Sequence, residues 1–105
     1  MKNILGMIGL AKRAGKLSCG EMLALESIKK RKSRLIIIAE DTSDNTKKSL
    51  TDSCNFYKVP YVLFSSKEML GEYTGGGIKS VVSVNDSNFA KSLKNKIELT
   101  YRKDW

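Results

Sequence analysis

The chain has 105 residues, of which 41% are hydrophobic, enough to bury one core and too few for two domains. Nineteen Lys and Arg against eleven Asp and Glu give a formal charge of +8, and histidine is absent; the excess points to a polyanionic partner, and the missing imidazole weighs against hydrolytic triads. Cys19 and Cys54 are the only cysteines, too sparse for a disulfide framework or a zinc site, so no metal or other cofactor is expected.

The apolar spacing of Ile4, Met7, Ile8 and Ala11 predicts a first helix over residues 3 to 14, stopped by Gly15. A short extended piece follows at Lys16 to Cys19. Gly20 then opens a second helix with the stripe Ala24, Leu25 and Ile28, and its last turn is read as cationic through Lys29, Lys30, Arg31 and Lys32. Leu35 to Ala39 is an apolar, β-branched run bounded by charge, the pattern of a strand buried on both faces. Asp41, Thr42 and Ser43 offer caps to a third helix carrying Leu50, Cys54 and Tyr57, which Pro60 prevents from continuing.

Tyr61 to Phe64 reads as a strand, Ser66 to Tyr73 as a short helix ended by the glycine run, and Val81 to Val84 as a further strand. Asp86 or Ser87 would cap a last helix in which Phe89, Leu93 and Ile97 recur every four residues. The alternation predicts a three-layer α/β/α sandwich with a mixed, mostly parallel four-stranded sheet, one domain over residues 1 to 105. No apolar stretch approaches the roughly 18 residues of a membrane span. A soluble, unprocessed, cytoplasmic chain is expected.

Residues 12 to 34 hold eight cations (Lys12, Arg13, Lys16, Lys29, Lys30, Arg31, Lys32 and Arg34) against Glu21 and Glu26, and so carry six of the eight net charges. Most charge runs are solvated faces, but here the cations fall within one helix-loop-helix segment and could form one surface for phosphates. Gly20, just ahead of the second helix, adds unpaired amides and room for a nucleic-acid backbone. The stretch from Gly75 to Ser80 is not a Walker loop, because Ile78 separates the last glycine from Lys79 and a strand follows. It is either a flexible loop at the sheet edge or a mobile contact loop. Gly6 to Gly9 nominally fits the clamping loop of KH domains but lies within an apolar helical pattern. Asp41, Asp44 and Asp52 are read as helix caps and surface charge, not as a magnesium site.

Taken in order, Leu10-Ala11-Lys12-Arg13-Ala14-Gly15-Lys16-Leu17, Ser18-Cys19-Gly20-Glu21, Leu35 to Asp41, Asn45-Thr46-Lys47-Lys48 and Val59-Pro60-Tyr61-Val62 resemble the L-seven-Ae type ribosomal-protein family, and within it the bacterial YlxQ-like branch. The resemblance spans nearly the whole chain. It implies an α/β/α sandwich that binds RNA, often at kink-turns, through the N-terminus of the second helix and a loop near the last strand. By position Gly20 matches the family's motif glycine, and Thr74 to Lys79 match the base-packing loop. At the positions where kink-turn readers carry Asn, then an acid or Gln, then a downstream Lys, this chain has Met22, Leu23 and Glu26. Those replacements offer apolar contact and a negative charge in place of base-edge pairing and a cation.

The expected RNA contacts are therefore Lys12, Arg13, Lys16, Gly20, Glu21, Met22, Leu23, Lys29, Lys30, Arg31, Lys32, Thr74, Gly75, Gly76 and Lys79. The expected partner is ribosomal or kink-turn-containing RNA, bound without catalysis. The alternative is a module that docks on a ribosomal or nucleic-acid-processing protein, with kink-turn specificity lost.

Overall fold

The computed structural model describes residues 2–102. Their elements run α1 (Lys2–Arg13), β1 (Leu17–Cys19), α2 (Glu21–Lys29), β2 (Leu35–Ile38), α3 (Asp44–Tyr57), β3 (Tyr61–Leu63), α4 (Lys67–Tyr73), β4 (Val81–Val84) and α5 (Ser87–Arg102). Each expected helix and strand is present. The strands form one sheet in the order β1-β4-β2-β3.

Alternation along the strands divides the core into two layers. Leu35, Ile37, Val82 and Val84 face one side and pack with Ile4, Leu5 and Ile8 of α1, Leu70 of α4, and Leu93 and Ile97 of α5. Ile36, Ile38 and Val81 face the other, against Ala24 and Ile28 of α2 and Leu50 and Cys54 of α3. The whole of β2 is buried, which is why its sequence is uninterrupted aliphatic; each such side chain contributes about 1.5–3 kcal/mol on leaving water. This is the expected α/β/α sandwich.

The pairing differs from the expected mostly parallel sheet. Only β2 with β3 is parallel; β4 runs antiparallel to both β1 and β2. A helix between two strands suggests a parallel crossover, but β4 inserts between β1 and β2, and the neighbours it acquires run the other way. The insertion brings the chain just after β1 beside the chain just before β4, where the Gly20 amide donates to the Val81 carbonyl at 2.9 Å.

Helix ends follow local chemistry. Ser43 caps α3 by accepting from the Thr46 amide, and Ser66 caps α4 by accepting from Met69. Asp86 accepts from the Phe89 amide at 2.9 Å at the head of α5. Asp41, expected to cap α3, accepts instead from the Lys67 amide at 2.8 Å, and Thr42 donates to the Ser80 carbonyl. The α2 helix ends sooner than its charge run suggests. Lys30 is its C-cap, Arg31 turns into the left-handed region at φ 60°, and the Lys32 amide returns to Ser27. An arginine occupies the place that glycine usually takes in this motif, at a cost of roughly 1–2 kcal/mol.

Candidate nucleic-acid interface

Gly20 has φ 95° and ψ 160°, a region that only glycine adopts readily. Among the described residues nothing lies within 4 Å of where its Cβ would stand, so the requirement is conformational and the approach to the backbone is open. No side chain caps α2, unlike α3, α4 and α5. The first amide with an intrahelical partner is that of Ala24, bonded to the Gly20 carbonyl at 2.9 Å. The amides of Glu21, Met22 and Leu23 thus lead the helix without such a partner, carrying the positive end of its dipole. Glu21 offsets part of that charge. Beyond them Met22 is 81% exposed and Leu23 52%.

The glycine loop leads through Ile78 to Ser80 into β4, whose first residue, Val81, is bonded to Gly20. It is not free, and it lies at the end of a central strand rather than at the sheet edge. The Gly76 amide donates to Gly71 at 2.7 Å and the Lys79 amide to Lys67 at 3.1 Å, while the Lys79 ammonium bonds the Gly76 carbonyl at 3.2 Å. Thr74, expected to touch RNA, is buried, and its hydroxyl donates to the Leu70 carbonyl at 2.6 Å; its role is to finish α4. Gly75 and Gly76 are exposed. So is Ile78, at 69%, an apolar side chain that breaks the Walker pattern and here faces solvent.

The cations gather at the opposite end of the sheet. Lys16 accepts there from the Asn85 amide, and the Arg34 amide donates to Val84. Lys12 and Arg13 are exposed in the last turn of α1, whose end is folded back by the Lys16 amide donating to Ala11. Lys29, Lys30, Arg31 and Lys32 stand exposed where α2 ends. Lys30 pairs with Glu26 at 3.1 Å, an exposed contact worth no more than about 1 kcal/mol. The Arg31 guanidinium lies 5.5 Å from the centroid of the Tyr57 ring.

A hydrogen-bonded chain fixes this basic end. The Ser27 hydroxyl donates to that of Ser18 at 2.7 Å, the Asn85 amide nitrogen donates to Ser18 at 2.9 Å, and the Ser83 hydroxyl lies within bonding distance of both Ser33 and Asn85. It joins α2, β1 and β4 to the loop that carries Arg31 and Lys32.

The expected contacts therefore form two groups, Gly20 to Leu23 with the glycine loop at one end and the cations at the other. They are separated by α2, about 13 Å long. An open depression of about 420 Å³ lined by Met22, Leu25, Glu26, Lys29 and Lys30 runs between them. One extended ligand lying along α2 could meet both.

Among the described residues no group of three or more His, Cys, Asp or Glu is placed to hold a metal ion. Nor is any described helix long and apolar enough to cross a membrane. Burial pushes the Cys54 thiol up to about 11, so it behaves as a core residue.

The model of the Ribosomal protein L7Ae/L30e/S12e/Gadd45 family matches residues 2–94. The chain belongs to this family. Its L7Ae-family relatives include the RNA-binding protein YlxQ of Bacillus subtilis (strain 168), 42% identical over 87 residues that make up 83% of this chain and 87% of that one. Among solved structures of this fold, a protein of unknown function from Bacillus halodurans C superimposes with a TM-score of 0.86 at 32% identity, covering 90% of this chain and 96% of the other. The Giardia lamblia 15.5kD RNA binding protein superimposes at 0.75 with 25% identity, covering 90% and 84%.

Proposed function

We propose that this L7Ae-family chain is a non-catalytic, cytoplasmic RNA-binding protein, acting as one domain over its length. Its ligand is structured RNA, ribosomal or kink-turn-like, laid along α2. The observation that carries this reading is the start of α2, where Gly20 leaves the helix amides without a side-chain cap beside the glycine loop. Free amides at a helix start bind phosphate oxygens, and Lys29 to Lys32 at the far end supply further phosphate contacts. Met22, Leu23 and Ile78, all exposed, present apolar surface to sugars and unstacked bases. Without an Asn at position 22 or a Lys at position 26, base-edge pairing gives way to shape and apolar contact. The names of the Bacillus subtilis and Giardia lamblia relatives support RNA as the ligand class.

The test is a titration against a kink-turn RNA and a mutant lacking its tandem sheared pairs, at two salt concentrations. Preference for the intact motif makes the protein a kink-turn reader with Met22, Leu23 and Glu26 as tolerated replacements. Equal, salt-sensitive binding to both means a different structured RNA is read. Salt-independent binding contradicts the phosphate contacts.

The exposure of Met22 and Leu23 also favours a second reading, docking on a ribosomal or nucleic-acid-processing protein with these side chains as the anchor. A stoichiometric protein partner that survives nuclease treatment and is lost in Met22→Ser would establish it.

A further inference from the structure

Phe56 is 78% exposed on a helix whose other apolar residues, Leu50, Cys54 and Tyr57, all pack into the core. Core packing does not account for it. Its ring meets that of Tyr57 edge-on, with centroids 4.9 Å apart and planes at 73°. Tyr57 also meets the Arg31 guanidinium, 5.5 Å from its centroid. An exposed aromatic ring thus stands next to a second ring, and that ring next to a planar cation.

Asp52, one turn before Phe56 on α3, is paired with Lys48 at 3.1 Å, and the charge at the end of the helix is positive. Lys58, the C-cap of α3, follows Tyr57 directly and, like Arg31, has φ 60°. Lys30 and Lys32 flank Arg31 in the chain; Lys30 pairs with Glu26, whereas among the described residues Lys29, Arg31, Lys32 and Lys58 join no ion pair.

We propose that the end of the molecule where α2 and α3 finish holds an unpaired nucleotide, its base stacked on Phe56 and its flanking phosphates on Arg31, Lys32 and Lys58. This rests on the RNA reading above and adds a contact beyond the far end of α2, a helix about 13 Å long. The occupant follows from the combination of groups. A nucleotide brings a π-face and a negative charge together, as this surface requires. An acidic peptide matches only the charge, and an apolar protein face is opposed by four solvated cations. Stacking tolerates any base, so the site is selective for unpaired strand and not for sequence.

Two probes separate the possibilities, a 12-nucleotide oligouridine and a blunt, fully paired RNA duplex. Phe56→Ala is expected to weaken oligouridine binding by roughly 5- to 100-fold, as loss of one stacked base does, and to leave duplex binding and thermal unfolding unchanged. Phe56→Trp, made with Trp105→Phe so that it carries the only tryptophan, should keep affinity and lose fluorescence as oligouridine saturates it. Unchanged oligouridine binding by Phe56→Ala, or unquenched emission at saturation, overturns this site alone. If the unaltered protein binds the kink-turn RNA but not oligouridine, this site falls alone; if it binds none of the three RNAs, the RNA reading falls and this inference with it. Quenching by polyglutamate and not by oligouridine would assign the surface to a protein partner and also overturn it.

Discussion

The Cα of Gly71 in α4 lies against the carbonyl of Gly77, so close that a Cβ at position 71 would overlap that oxygen, while the Gly71 carbonyl accepts from the Gly76 amide at 2.7 Å. Backbone here packs on backbone, and the glycine loop is set on its helix with no room for a side chain. Gly71→Ala must push the loop away. The expected loss of stability is about 1–3 kcal/mol, read by urea unfolding. Gly6→Ala is the control: that position is exposed within α1 and among the described residues meets nothing within 4 Å, so it should gain roughly 0.5–1 kcal/mol.

Gly20→Ala tests a different constraint. There is space for the added methyl, but φ 95° with ψ 160° is closed to alanine at a cost of order 1–3 kcal/mol. The substitution should lower stability by that amount. RNA affinity should fall further than stability alone explains, because the start of α2 must re-form; equal affinity at saturating folded protein would remove Gly20 from the interface.

Asn85 links the strands to the basic end through Ser18 and Ser83, at 2.9 and 2.7 Å. Asn85→Leu strips partners from hydroxyls in a part-buried setting and should cost about 1–3 kcal/mol. Chemical denaturation measures that loss, and faster amide exchange at Arg31 and Lys32 would report loosening of the cationic loop.

Cys54 gives the chain a pH dependence above neutrality. Burial raises its thiol from the ordinary 9.0 to about 11, so the folded state holds the proton more tightly than the unfolded one. The associated stability is complete below pH 9, declines between 9 and 11 as the unfolded chain ionises first, and then levels off. Its size is on the order of 2–3 kcal/mol. The difference in unfolding free energy between the protein and Cys54→Ala, compared at pH 8 and pH 10.5, should shrink by much of that amount.

The layers of the fold were legible in the sequence because their signals are local. The aliphatic run Leu35 to Ile38 and the four-residue spacing of Phe89, Leu93 and Ile97 encode burial whatever surrounds them. Strand order was not, since nothing in the Val81 to Val84 segment says that it inserts between β1 and β2. The end of α2 was misplaced because Lys29 to Lys32 are all compatible with helix; the reversal at Arg31 is bonded back to Ser27 and Ile28. Gly20 and the cations were readable from residue type, but their division between two ends depends on β1 running the length of the sheet from Lys16 to Gly20. Thr74 looked like a loop hydroxyl and proved buried, whereas Ile78 and Phe56 are apolar residues whose exposure only the fold reveals. Ile78 stands alone among polar residues and Phe56 falls off the stripe of Leu50, Cys54 and Tyr57, and these were the signals that could have found them.

The most direct test of the central claim is amide NMR of the protein titrated with structured RNA. The amides of Gly20 to Leu23 and of Gly75 to Lys79 should shift together at stoichiometric RNA, with smaller changes at Lys29 to Lys32 that fade as salt is raised. Shifts confined to other surfaces, such as the edge strand β3, with the start of α2 unchanged at saturation, would contradict it.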